Sequence, residues 1–520
     1  MSVSRLWLAL VLALFCLPLF VGLGRGDVLD DEAIYSFAVD RMLETGDWLE
    51  PKSIPNEDWA FVEKPPLKFW IVALPMQLGL LPHDQFGLRF WDALFGATAF
   101  GYVFLIGSRL LNPIAGVVAV LMLFVHGPLL FYHGLRSNNM EAALFLCYCG
   151  GTYHFMRWAG PGRPSQAGTQ APGGSPWHAV AVGLYFVLGF MTKFVAALFL
   201  PAVLFLASIA APAWRRRLIA SWKTWLGVAC LATALILPWF VWAYLEYGAF
   251  LWEMMLGAHV VTRFTSYLDP AHVQPWYFYF SQIRFELAAS GTLLFGAAGV
   301  IVLLVQTIYR RWPEGMLVLL WLAVPLAAIS VGTSKLYHYM YPFLPPVALA
   351  GGYLVALALA VLPGPVVRRL RSQSLGLPAS FEALRTRPVV RGVLLTVAAA
   401  SIAVAFISLL FGPIRFDMPG IGPVRSSGVF RPILIAIVFG TLGGAIRRVT
   451  HAVIVVLVVS LLPLPAYRRA LVRLNEGPTR LRDARDCLLA VQQQLGGPGL
   501  HVDAPPPAIS HPLYYYLRQV

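Results

Sequence analysis

The sequence predicts an all-α polytopic membrane protein with about 13 transmembrane helices, extracytoplasmic amphipathic loop helices and a small C-terminal α/β appendage. Three observations carry that prediction. Of the 520 residues, 58% are hydrophobic and only 12% are charged, whereas soluble chains are about half apolar and a quarter charged. The apolar residues gather in runs near the length that crosses a bilayer as a helix. Arginine doublets and triplets sit between those runs and fall on alternate sides.

Spans are expected near 6–23, 89–107, 113–132, 142–157, 178–193, 195–211, 225–245, 291–309, 315–332, 343–362, 392–411, 430–446 and 449–465. The first run is too long for a signal-peptide core and lacks a small-residue cleavage site, so it reads as a span. With a cytoplasmic N-terminus, "RWAGPGR", "WRRR", "YRRW", "VRRLRS…RTR" and "IRR" all lie inside, as the positive-inside rule requires. The net charge of +14 therefore marks topology, and no nucleic-acid partner is expected. "GPGRPSQAGTQAPGGSP" is an inside linker. The five cysteines include no CxxC pair and no disulfide framework, which leaves them as small apolar residues.

Residues 1–466 form one transmembrane domain, with large extracytoplasmic loops at 24–88 and 246–290. Residues 467–520 form a small extracytoplasmic module. There "PTRLRDARDCLLAVQQQLGG" reads as an amphipathic helix, and "GLHVDA" and "HPLYYYLRQV" read as strands.

The residues with chemistry to offer converge on the outside. Eleven of the 25 acidic residues lie between Asp27 and Glu63. In "LDDEAIYSFAVDRMLETGDW", Ile34, Phe37, Ala38 and Met42 recur at helical spacing and predict an interfacial helix. Asp30 suits its N-cap. One cap needs one acid, so Asp31 and Glu32 become catalytic candidates, as general base or divalent-cation ligand. Tyr35 follows Asp31 by one turn. In "FVEKPPLKFW" two prolines stiffen the backbone behind Lys64, a point charge suited to phosphate, and Glu63 is its natural surface partner. His259 and Arg263, four residues apart, share a helical face. "SKLYHYMYPFLPP" brings Lys335 and Tyr337 to the membrane edge, and "RSNNMEAALF" does the same for Asn139 and Glu141, where asparagine capping competes with function. Acids, cations and tyrosines on one side, without a phosphate-cradling glycine loop or zinc-ligand spacing, fit group transfer from a lipid phosphate.

These segments, "DDEAIYSFAVDRMLETGDWLEP…FVEKPPLKFW", "GAHVVTRF…QPWYFYF" and "SKLYHYMYPFLPP", resemble the C-type, lipid-donor-dependent glycosyltransferases. The likeness is to the aminoarabinose transferase-like branch, near the protein O-mannosyltransferases, and covers Leu6 to Ala466. The resemblance implies inverting transfer of a sugar from a polyprenyl-phosphate donor to a lipid A-like lipid, a cell-envelope glycan or a protein. The setting it implies is the outer face of a bacterial inner membrane. It makes Asp31 the essential acid, as base or metal ligand, and assigns the donor phosphate to Lys64, Arg263 and Lys335 with His259 and Tyr337 nearby. No cofactor is fixed beyond a possible divalent cation. Two departures bear on the acceptor. Ile34 stands where the aminoarabinose transferases carry Arg, and Asn139 where they carry Asp, with Glu141 placed to substitute for the lost carboxylate. A transporter is the alternative of another class, but it would put ionisable residues within the spans and show repeated halves.

Overall fold

The computed structural model describes residues 5–52, 61–160, 174–360, 387–411, 414–418, 422–426, 430–444, 463–495 and 511–517. The linker 161–173, most of the span placed at 449–465, the basic segments "VRRLRS" and "IRR", and "GLHVDA" lie outside the described residues.

Helix α1 (Arg5–Val11) continues as a widened and then a tightened coil to Phe20. The first large loop folds into α2 (Asp31–Thr45) and α3 (Leu67–Gln77). Then come α4 (Gln85–Leu110), α5 (Pro113–Phe124), the short α6 (Gly127–Phe131) and α7 (Glu141–Ala159). Helices α8 (Trp177–Lys193) and α9 (Phe199–Ala210) lead through the arginine-bearing α10 (Pro212–Ala220) into α11 (Trp222–Tyr247). The second large loop holds α12 (Ala249–Trp252), a π-helical stretch Glu253–Thr262, α13 (Arg263–Thr265) and α14 (Phe278–Ala289). Helices α15 (Leu293–Arg310), α16 (Pro313–Val331) and α17 (Pro345–Ala360) follow, then α18 (Pro388–Phe411). A hairpin of β1 (Ile414–Met418) and β2 (Gly422–Ser426), which the span pattern did not announce, precedes α19 (Phe430–Leu442). The tail contributes α20 (Leu464–Arg473), α21 (Arg480–Leu495) and α22 (His511–Leu517).

Local chemistry sets several of these boundaries. Asp84 caps α4 by accepting from Gly87 N–H at 3.0 Å, and Asn112 caps α5 ahead of Pro113, a favoured first helical residue. Helix α2 stops at Gly46, whose φ of 73° closes the last turn. Asp30 departs from expectation. It has a φ of 50° and its side chain makes no capping bond to α2.

The architecture is a polytopic helical bundle. Among the described residues six stretches are long and apolar enough to cross a membrane, or seven with the bent pair Tyr337–Phe343 and Pro345–Ala360 counted as one. The expected number was larger because α5 has only 12 residues and α7 carries Glu141, His154 and Arg157. Trp177–Ala210 counts once by length, yet the chain reverses inside it, at Phe194 with a φ of 43°. Both ends of that stretch meet the same end of α7. The Gly174 carbonyl accepts from Arg217, whose guanidinium lies over Trp158, and Trp214 packs edge-on against Phe155. Two antiparallel helices occupy the stretch.

Helix α7 packs against α4 and α8, and α17 against α5 and α15. Glycines permit the close crossings: a Cβ at Gly107 would stand 2.6 Å from Gly116 Cα, and one at Gly352 would stand 2.1 Å from the Ala115 carbonyl. Arg157 and Arg217 collect at one end of the bundle. Glu141, at the other end of α7, opens onto a cavity.

The tail is docked on the first loop. "HPLYYYL" forms the helix α22 where the sequence predicted a strand. Its Tyr515 and Tyr516 are buried with Phe37, Met42, Phe69 and Val72, so the aromatic residues that read as strand formers serve a helix–helix contact. Val28 N–H donates to Tyr516 Oη at 2.8 Å. Asp27, 453 residues before α21, caps that helix from a distance: its carboxylate accepts from Leu481 N–H at 3.0 Å and Arg482 N–H at 3.1 Å. Asp27→Ala should weaken this docking by about 1 kcal/mol, seen as faster proteolytic trimming beyond Pro478. Unchanged trimming would mean that the cap does not hold the tail.

Candidate active site

Two adjacent acids at the start of α2 separate by function because successive helical residues point about 100° apart. Asp31 faces the cavity with its side chain 47% exposed, and its Oδ2 lies 3.8 Å from His133 Nδ1. Glu32 points into the bundle. Its carboxylate takes Arg89 Nε at 2.7 Å and Nη2 at 2.8 Å, together with Asn138 N–H at 2.9 Å. Arg89 also donates to the carbonyls of Arg25 at 2.7 Å and Asp27 at 2.9 Å. Glu32 was expected to be catalytic. The structure instead places it off the cavity, as the anchor of the helix that carries Asp31.

The cavity encloses about 1150 Å³ and brings together Asp31, Tyr35, Glu63, Lys64, Glu141, His259, Arg263 and Tyr337. That volume is large enough for a small-molecule ligand. Lys64 follows from its "KPP" context: Pro65 and Pro66 are buried, and α3 starts immediately behind them. Among the described residues the Lys64 ammonium makes no hydrogen bond, and the half-buried side chain opens onto the cavity. Burial, partly opposed by Glu63 and reinforced by Lys193 and Arg263, holds its pKa below the ordinary 10.5. Burial also disfavours a charged Glu63, but the hydrogen bond from His259 and the charges of Lys64 and Arg263 prevail and keep that carboxylate below its usual range. Glu63 Oε2 and His259 Nε2 are 3.0 Å apart. Arg263 donates to Tyr339 Oη, which leaves most of its guanidinium donors to face the cavity.

A pH prediction follows from Lys64. Only the protonated amine attracts a phosphate, so affinity for inorganic phosphate should fall as pH rises through the lowered lysine pKa, in a window beginning below 10.5. Lys64→Arg should flatten that fall, because arginine stays charged throughout. Titrating binding from neutral pH upward checks this, and an identical fall in the variant would assign the titration to another group.

Lys335 stands apart from the site. It is 3% exposed and donates to the carbonyls of Gln274, at 2.8 Å, and Gly332, so backbone oxygens fill the place expected for a phosphate. Asn139 is also off the main cavity. It donates to Ser137 Oγ at 2.9 Å and lines a neighbouring chamber. Tyr337 lies on the cavity wall, its hydroxyl 2.8 Å from His126 Nε2. Sequence reasoning passed over three participants. Lys193 pairs with Glu141 and lies 5.0 Å from the centroid of the Tyr339 ring. His338 Nε2 is 3.5 Å from Glu141 Oε1, and the His338 ring stacks on His133 at 4.6 Å. The usable signal was Lys193 itself, a lone cation in "MTKF" between two apolar runs.

A narrower pocket of about 230 Å³ shares Lys64, Lys193, His259 and Arg263 with the cavity and continues past Phe194, Phe199 and Phe343. Cations at the mouth and aromatic rings beyond suit a phosphate on an apolar chain. Among the described residues no three metal-ligating side chains converge.

Residues 63–242 match the family described as dolichyl-phosphate-mannose-protein mannosyltransferase. Among curated proteins, the undecaprenyl phosphate-alpha-4-amino-4-deoxy-L-arabinose arabinosyl transferase of Pseudomonas savastanoi pv. phaseolicola is 27% identical over 349 residues, 66% of this chain and 60% of that protein. A Pseudomonas fluorescens enzyme of the same name is 28% identical over 362 residues, 68% of this chain and 60% of that protein. The fold matches ArnT from Cupriavidus metallidurans, solved with undecaprenyl phosphate, at a TM-score of 0.58 and 18% identity, over 99% of this chain and 84% of that one. In sequence the chain is similar to these aminoarabinose transferases, and in fold to ArnT. The oligosaccharyltransferase AglB of Archaeoglobus fulgidus superposes with a TM-score of 0.50 at 13% identity, over 93% of this chain and 57% of that one. The chain spans about 60% of the length of the curated relatives it matches. The matched family region begins at Glu63 and so includes Lys64 but not Asp31.

Proposed function

We propose that this protein is an inverting glycosyltransferase that moves a sugar from a polyprenyl-phosphate donor to an extracytoplasmic acceptor. The observation that supports it best is the division of the cavity. Lys64, His259 and Arg263 lie where it meets the apolar pocket, and Asp31 lies open on the same cavity. A donor phosphate held by the cations would direct its prenyl chain along Phe194, Phe199 and Phe343. The acceptor hydroxyl attacks the anomeric carbon from the opposite face and its proton passes to the Asp31 carboxylate. The bond to phosphate oxygen breaks, and polyprenyl phosphate leaves with its charge stabilised by Lys64 and Arg263. Asp31 is read here as the base, and no step depends on a metal ion.

The relatives named above carry an amino sugar on undecaprenyl phosphate, and a donor of that class is the first to try. The topology that fits has about 13 spans, the N-terminus in the cytoplasm, and the cavity and tail outside a bacterial inner membrane. Lipid, glycan and protein acceptors all fit this reading. The mannosyltransferase description of the matched family region keeps a protein acceptor in the panel. The test is to incubate the purified protein with undecaprenyl phosphate conjugates of several sugars, supply membrane extract as acceptor, and follow donor consumption by mass spectrometry. Turnover with one conjugate names the donor. Binding without turnover of any conjugate, or accumulation of an unmodified substrate in vesicles, would overturn the transferase reading.

A further inference from the structure

Among the described residues four that are not glycine hold a left-handed backbone, a region that side chains avoid and that tends to mark functional sites. Two of the four converge on Asp31. Asp30, with a φ of 50°, precedes it in the chain, and His133, with a φ of 49°, places its Nδ1 3.8 Å from Asp31 Oδ2. The turn between α6 and α7 enforces the conformation of His133. Leu135 N–H donates to the Leu129 carbonyl at 2.8 Å, and Gly134 lies so close to that oxygen that a Cβ there would stand 1.9 Å from it. The turn is thus fixed, and its strain falls on a histidine whose ring lines the active-site cavity.

That ring carries a second cost. Its Nδ1 is buried and makes no hydrogen bond among the described residues, whereas buried ring nitrogens are ordinarily satisfied. The plane of the ring is held from behind. His338 stacks on it with centroids 4.6 Å apart and planes inclined by 24°. His338 Nε2 in turn lies 3.5 Å from Glu141 Oε1, and Glu141 is paired with Lys193. Among the described residues no other basic side chain comes within ion-pair distance of Asp31. A strained backbone, an unsatisfied nitrogen and a stacked support therefore meet at one imidazole, and the group they bring it towards is the proposed base.

We infer that His133 is the proton-relay partner of Asp31, taking from it the proton that the acceptor gives up and so restoring the carboxylate for the next turnover. The inference rests on the transferase reading. The acceptor O–H bond breaks as its oxygen bonds to the anomeric carbon, and an O–H bond forms on Asp31. Tightening of the 3.8 Å separation to hydrogen-bond length lets that bond break and an Nδ1–H bond form. The ring enters the step as its Nε2–H tautomer and leaves it as imidazolium. An ordinary imidazole holds a proton about 400-fold more tightly than an ordinary aspartate, so the transfer runs downhill. The imidazolium then loses a proton to water from an adjoining chamber of about 560 Å³, which His133 also lines. His133 acts through Asp31 throughout. It is a relay and positioning residue, and the base remains the carboxylate.

The test uses the full-length protein in detergent, the undecaprenyl phosphate sugar conjugates as donors and membrane extract as acceptor. Glycine and asparagine both accept a left-handed backbone, so His133→Gly and His133→Asn should fold, which thermal unfolding checks. Each should lower kcat about a hundredfold while donor KM and undecaprenyl phosphate affinity stay within about twofold. Added imidazole, entering the space that His133→Gly vacates, should restore its rate about tenfold or more, and should not restore Asp31→Asn. In the Asp31→Asn background His133→Gly should cost nothing further, because a relay without its base carries no proton. A loss that imidazole does not restore, and that recurs in full in the Asp31→Asn background, would make His133 a packing residue and overturn the inference. A rate in both His133 variants within about threefold of the unaltered protein would overturn it too, and would leave the transferase reading standing. Absence of turnover of every conjugate by the unaltered protein removes the transferase reading, and the relay with it.

Discussion

Asp31→Asn should lower sugar transfer about a thousandfold while leaving undecaprenyl phosphate affinity within about twofold, since Asp31 is not among the cations that meet the apolar pocket. The substitution is nearly isosteric and the side chain is half exposed, so folding should be unaffected. In the proposed mechanism the change removes the group that takes the acceptor's proton. The loss should therefore appear in kcat rather than in donor KM. Single-turnover consumption of the sugar donor, run beside a binding titration with undecaprenyl phosphate, separates the two. Retention of more than a tenth of the activity would remove Asp31 from the role of base.

A comparably large effect, on stability, is expected one residue away. Arg89→Met leaves the Glu32 carboxylate buried without its partner, and breaking a buried ion pair from one side costs about 3–5 kcal/mol. The double change Glu32→Gln with Arg89→Met should recover much of that, because no uncompensated charge remains. Thermal unfolding in detergent measures both. If the single and double variants melt together, the cost comes from lost packing or from the carbonyls of Arg25 and Asp27, and the ion pair is not the anchor of α2. At temperatures where Arg89→Met is still folded, its transfer rate should fall with unchanged donor affinity, because the helix bearing Asp31 has lost its fixed base.

The difference between these neighbours shows how much of the site was legible in sequence and what was not. The run "DDEAIYSFAVDRM" announces a helix with acids at its start, and α2 follows it closely. Nothing in that string says which acid faces the cavity, because that depends on where α4 presents Arg89. Lys64, His259 and Arg263 could be singled out because paired prolines fix the backbone behind the first and four-residue spacing puts the other two on one helical face, and all three line the cavity. Lys335 had the same kind of context, yet its partners proved to be the carbonyls of Gln274 and Gly332. A lysine among tyrosines needs an oxygen, and the sequence does not tell a phosphate oxygen from a peptide one. In the fold, apolar periodicity located the helices. It failed at "HPLYYYL", where tyrosine's preference for strands yielded to burial against α2, and at the hairpin 414–426, whose strands are too short to stand out beside the flanking spans.

The cap that Asp27 places on α21 has a consequence for how the protein is made. The N-terminal end of the catalytic loop is pinned by atoms translated some 450 residues later. Until the segment around Arg482 has emerged and docked, Asp27 lacks those partners, and the loop leading into Asp31 has one fewer restraint. In a nascent chain the loop that carries Asp31 would therefore gain its last restraint only when the tail is made.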